Sequence, residues 1–162
     1  MKIEFLGLTK DNVEVYLRKG EKDCRVLTSR VTLRQALATI ILNDAKFSQH
    51  QVHFDYAIGK DKCVSTTPED RVVLWQPAGQ TGRIPMALNR SFEETNILNL
   101  TIEYDDGMYF VTKAMTGIEV PKQPWEDELT ESERAFSESF WSCHAWVPNM
   151  TELHTMKHTG VL

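Results

Sequence analysis

Four residues late in the sequence have the side chains for chemistry: Cys143, His144, His154 and His158. His154 and His158 stand four apart, the spacing that puts two imidazoles on one helix face, as in zinc pairs. Cys143 or His144 as a third ligand makes a partial zinc site; a structural site wants four, and no second cysteine lies near. The plainer reading places Cys143 in the core on a stripe with Phe136 and Phe140 and leaves the histidines solvated. Cys143 beside His144 also has the residue types of a nucleophile and its base. Neighbours on a helix point about 100° apart, however, which keeps them from the hydrogen-bonded pair that activation requires and leaves His50 or His53 as the other partners for the thiol. Earlier, His53 and Asp55 would share one face of a strand, with His50 close by, and one could orient the other for acid–base work. A polar sheet face explains them equally well. The glycine-rich stretch 78–83 lacks the Gly-Lys-Ser/Thr of a phosphate loop and reads as a linker. Glu126-Asp127-Glu128 precedes a helix start, where negative charge is favourable. With no complete catalytic constellation, the expectation leans away from an enzyme and requires no cofactor, zinc being the exception.

The elements that would position these residues follow from periodicity. Residues 2–8 and 12–18 alternate as strands, with Val13, Val15 and Leu17 on one face. A turn at 19–23 leads to a strand from Cys24 to Thr28. Thr32 with Gln35 reads as a capping box, Val31 as its staple, and Leu33, Ala36, Leu37, Ile40 and Ile41 as the apolar stripe of a helix. Strands are expected at 52–58, near Val64 and at 71–75. Asp105-Asp106-Gly107 between two alternating runs predicts a hairpin over 97–114. Thr130 with Glu133 opens a second helix to about His144, with Phe136, Phe140 and Cys143 inward. A last short helix over 151–158 ends with Gly160 as its cap. The expected class is α+β. The expected division is a unit over 1–77, a Pro/Gly-punctuated linker over 78–95, and a hairpin-plus-helix unit over 96–162 packed on the first.

The 162 residues are 41% hydrophobic and 25% charged, with a net charge of −5. Nothing in them forms the Lys/Arg stripe that phosphate neutralisation requires, so nucleic acid is not expected as a partner. No apolar run is long enough for a bilayer and the first residues lack a signal-peptide core, so a membrane is not expected either. Three widely spaced cysteines, Cys24, Cys63 and Cys143, do not suggest a disulfide framework. The expected compartment is the cytoplasm.

Val31-Thr32-Leu33 at a helix entry and Pro68-Glu69-Asp70-Arg71-Val72-Val73-Leu74-Trp75-Gln76-Pro77 at the end of residues 12–77 are similar to the ubiquitin-like superfamily. The latter resembles the Gly-Asp-Arg-Val turn and final strand of small bacterial members, with Glu69 in place of the usual glycine. The resemblance implies a β-grasp sheet carrying one helix, and a docking or modifier role. A modifier needs a terminal glycine, which here would be Gly160 after two residues are trimmed. If Val13, Val15, Leu17, Val26, Val72 and Leu74 point at the helix, then Tyr16, Leu27, Ala57, Val73 and Trp75 form an apolar outer face; left exposed it is a partner-binding patch with Trp75 as its anchor, while the plainer and preferred reading has the second half or the strand at 2–8 cover it. The leading expectation is a non-catalytic protein that binds another protein through that face and the C-terminal aromatics Trp125, Trp141 and Trp146. The alternatives are a modifier precursor ending at Gly160, and a small zinc-binding or hydrolytic enzyme built on the Cys/His cluster.

Overall fold

Alternation of apolar and polar residues lays down the first sheet. The computed structural model describes residues 2–20 and 25–158, and they are a mixture of strands and helices. β1 (Lys2–Leu8) and β2 (Glu14–Lys19) pair antiparallel. The expected hairpin forms as β10 (Ile97–Asp105) and β11 (Met108–Thr116). Asp106 and Gly107 between them both take positive φ, 49° and 79°, the conformation a two-residue primed turn demands. β11 runs parallel to β2, and β10 pairs antiparallel with β4 (Phe47–His53), giving the order β1-β2-β11-β10-β4. β3 (Arg25–Val26) pairs with β11 further along, at Lys113 and Ala114.

One face of this sheet carries the helix α1 (Arg30–Leu37). Leu33, Ala36 and Leu37 meet Leu6, Val15, Leu17, Leu98, Leu100, Ile102 and Val111 in a shared core. Helix start and length differ from the expectation. Ser29, not Thr32, is the N-cap, its hydroxyl accepting the Thr32 N–H at 3.2 Å. Thr32 therefore lies inside the first turn, where it cannot form the Thr32/Gln35 box, and Val31 is exposed. The helix stops at Leu37, so Ile41 leaves the stripe and is exposed. β4 likewise begins earlier than the strand expected at 52–58, and Asp55 falls beyond its end.

The second unit holds the sheet β6 (Cys63–Ser65), β12 (His144–Trp146), β8 (Ile84–Ala87) and β7 (Val72–Trp75), in that order. Thus the strand that the ubiquitin-like resemblance makes the last of the first sheet pairs with Ile84–Ala87 instead. Residues 84–87, inside the expected linker, are themselves a strand, with Met86 and Ala87 buried. By contact density the compact units are 1–60 with 94–118, and 61–93 with 119–162, so the chain is not divided once near Pro77. β5 (Gly59–Asp61) and β9 (Glu93–Thr95) pair with each other.

α2 (Glu131–Trp141) carries the expected capping box, Thr130 and Glu133 each bonding the other's backbone N–H at 3.1 Å. Its inner face differs: Ser137 and Trp141, four apart, are buried, while Phe136 is exposed. α3 (Met150–His158) is opened by Asn149, whose side chain accepts the Glu152 N–H at 2.8 Å. Among the described residues no helix is long and apolar enough to cross a membrane.

Candidate functional site

An irregularity in β1 decides which of its side chains face solvent. Between Phe5 and Gly7 the register with β2 slips by one residue, a β-bulge with Leu6 as the extra residue. The bulge turns Leu6 into the core and Gly7 toward α1, where a Cβ at Gly7 would come 3.3 Å from the Arg34 side chain. On either side of it, Ile3, Phe5 and Leu8 face away from the helix and are 49%, 52% and 42% exposed. Their cross-strand partners on β2 are Arg18, Tyr16 and Glu14. Phe110 of β11 pairs with Tyr16, so the outer face carries an aromatic row across three strands. Phe5 meets Tyr16 edge-on at 5.6 Å between ring centroids, and Tyr16 lies 6.4 Å from Phe110.

Charge is arranged around this row. The Arg18 guanidinium sits 3.9 Å above the Phe110 ring and reaches Asp105 at 2.6 Å and Glu103 at 3.6 Å. It covers Phe110, which is buried, and fixes one cation on the face by ring and carboxylate together. The Tyr16 hydroxyl donates to Glu14 Oε2 at 2.6 Å, and that bond, ahead of burial, raises the tyrosine's pKa. Glu4, on the opposite face of β1, is held by Arg30 and Lys19, which keep its carboxyl below the usual range.

The residues singled out from sequence are scattered. Tyr16 lies half-buried in the aromatic row, and Leu27 is 68% exposed just past β3. Val73 and Trp75 belong to the second unit and point into its core: Trp75 packs with Met86 and Met156, and Val73 lies against them. The outward side chains of β7 are Val72 and Leu74, the reverse of the expected facing, because Val73 and Trp75 have their own core to fill. Trp75 is therefore a packing residue and not an exposed anchor. Ala57 is exposed in the segment after β4.

His154 and His158 do share a face of α3, their rings 4.3 Å apart. Cys143 does not join them: among the described residues no three His, Cys, Asp or Glu side chains are placed to hold a metal ion. Cys143 is exposed rather than part of a buried stripe. It nonetheless approaches His144, with Sγ 3.3 Å from Nδ1, because α2 ends at Trp141 and the two residues are not held at helical angles. That contact does not make a nucleophile–base pair. His144 Nδ1 is 2.8 Å from the Phe140 carbonyl, which can only accept, so Nδ1 carries the hydrogen and has no lone pair for the thiol. The imidazole stacks on Phe140 at 3.9 Å and caps the end of the helix. The Cys143 thiol lies at a helix C-terminus, whereas activated thiols favour the N-terminus.

His50 Nε2 is 2.9 Å from the Ser48 hydroxyl, and burial lowers its pKa; His53 contacts Gln51. No acid–base pair of His53 with Asp55 is formed. Cys24 and Gly160 lie outside the described residues. No protein-family model matches this chain, and neither a curated protein nor a solved structure matches it.

Sequence reasoning missed Ile3, Phe5 and Leu8. Ile3 and Phe5 were legible as one face of an alternating strand, but Leu8 was not, because nothing in Phe5-Leu6-Gly7 announces a bulge other than the glycine itself.

Proposed function

We propose that this chain is a non-catalytic protein-interaction protein, and that it binds its partner with the outer face of the first sheet. The observation that carries this reading is the row Ile3, Phe5 and Leu8, three large apolar side chains left in solvent along one edge strand. Soluble proteins blunt such an edge against strand pairing with charge, proline or a bulge, and the bulge at Leu6 does so here without covering these three side chains. Here Glu4 is neutralised from the opposite face and Lys2 alone remains at the end of the strand. The rigid aromatics beside the row, Tyr16 and Phe110, are the residue types that anchor interfaces. The arrangement of the cysteine and histidines supports capping and packing rather than catalysis, which favours binding over chemistry.

Affinity purification from the native host, comparing wild type with Phe5→Ser, tests the reading. Because Phe5 is half exposed and its main contact is the edge-on pair with Tyr16, the variant should stay folded with a melting temperature lowered by no more than about 5 °C. A partner recovered with wild type should fall at least about tenfold with Phe5→Ser, the loss expected when an interface anchor worth roughly 1.4 kcal/mol is removed. Equal recovery with a folded variant would exclude this face.

A further inference from the structure

The outer face ends in a cleft of about 770 Å³ whose lining includes Leu8, Asn12, Glu14, Tyr16, Met108 and Tyr109. Among the described residues its lining brings one charged group, Glu14, and no cation. One Glu14 oxygen accepts the Tyr16 hydroxyl, which leaves the carboxylate of this exposed residue with acceptor capacity to spare. Of the two tyrosines, Tyr109 pairs with Val15 and turns to the helix side of the sheet, so the Tyr16 ring and the Glu14 carboxylate beside it are the surface that attracts an organic cation.

The same sheet face already seats one such cation. Arg18 lies on Phe110 with its guanidinium between carboxylates, so ring and acid together fix a planar group there. Tyr16, two residues before Arg18 on the same face, repeats with Glu14 the pairing of ring and acid without a cation of its own among the lining residues. We infer that the cleft receives an arginine side chain of the protein partner, its guanidinium bound to Glu14 and lying on the Tyr16 ring. Arginine is favoured over lysine because its flat, forked donor set can stack on a ring and bond a carboxylate at once. The inference rests on the interaction reading above and names the chemistry its partner presents.

The test is an amide NMR titration of the full chain with the blocked peptide acetyl-Gly-Arg-Gly-amide, run beside its lysine counterpart. Saturable shifts are expected at 12–16 and 107–109, with the arginine peptide binding more tightly. Glu14→Gln, an exposed change that keeps shape and removes charge, should weaken binding about tenfold, the scale of one charge-assisted hydrogen bond. The wild-type-like spectrum of that variant would show it is folded. Absence of saturable shifts, shifts outside the cleft, or equal binding to Glu14→Gln would overturn the site. Equal affinity for the lysine peptide would overturn its assignment to arginine. The two readings fail separately. Partner capture that depends on Phe5 without peptide binding leaves the interface and removes the cleft; peptide binding at Glu14 with Phe5-independent capture does the opposite.

Discussion

Gly82 has no side chain because the Trp125 indole occupies the place where one would begin: a Cβ there would overlap the ring. The indole is held by its own N–H, which donates to the Arg83 carbonyl at 2.7 Å. Gly82→Ala should therefore expel Trp125, at a cost of about 1–3 kcal/mol from overpacking and the lost hydrogen bond. A lower urea midpoint with changed tryptophan emission is the expected result. The two described cysteines should differ as sharply. Cys63 is buried, and burial, helped by Asp61, pushes its pKa up to about 12 from 9.0. Its thiol is neutral in both states below pH 9, so it costs nothing there. Above that the unfolded chain ionises first and stability should fall as pH rises toward 12. In a Cys24→Ser background, iodoacetamide at pH 8 should label Cys143 and spare Cys63 until the chain is unfolded, read by peptide mass mapping.

Local signals were legible where a few neighbouring residues settle the geometry. Asp106-Gly107 announced the hairpin because both positions need positive φ, and the Thr130/Glu133 box announced α2 because its partners are three residues apart. Gly107→Ala, at φ 79°, should destabilise the chain by about 1–2 kcal/mol, measured as a lower denaturant midpoint. The Glu133 carboxyl is held below its usual range chiefly by the Thr130 backbone N–H. Its contribution to α2 is present above pH 4.5 and should fade as pH falls through the carboxylate range, an effect absent in Glu133→Gln. What the sequence did not reveal was long-range. Ser29 and Thr32 are both good caps, and only the fit of Leu33, Ala36 and Leu37 to the sheet selects the earlier start. The facing of β7 was misread for a similar reason: Val72-Val73-Leu74-Trp75 is apolar at every position, so its period cannot choose a face.

At the scale of the chain, the sequence revealed a mixed α+β protein but not which strands share a sheet. The hairpin at 97–114 belongs with residues 1–60, and 71–75 with the strands of 84–87 and 144–146, because pairing over such distances leaves no local mark. Trp75→Ala should accordingly act on stability rather than on binding, costing about 3–5 kcal/mol through a cavity beside Met86 and Met156. Phe5→Ser should do the reverse, and the contrast separates packing from recognition. The central claim is that residues along β1 and β2 form the binding face. Hydrogen–deuterium exchange of the chain, alone and bound to the partner captured with wild type, tests it most directly. Protection on binding should concentrate in residues 2–8 and 14–19. Protection confined to other segments, with those two unchanged, would contradict it.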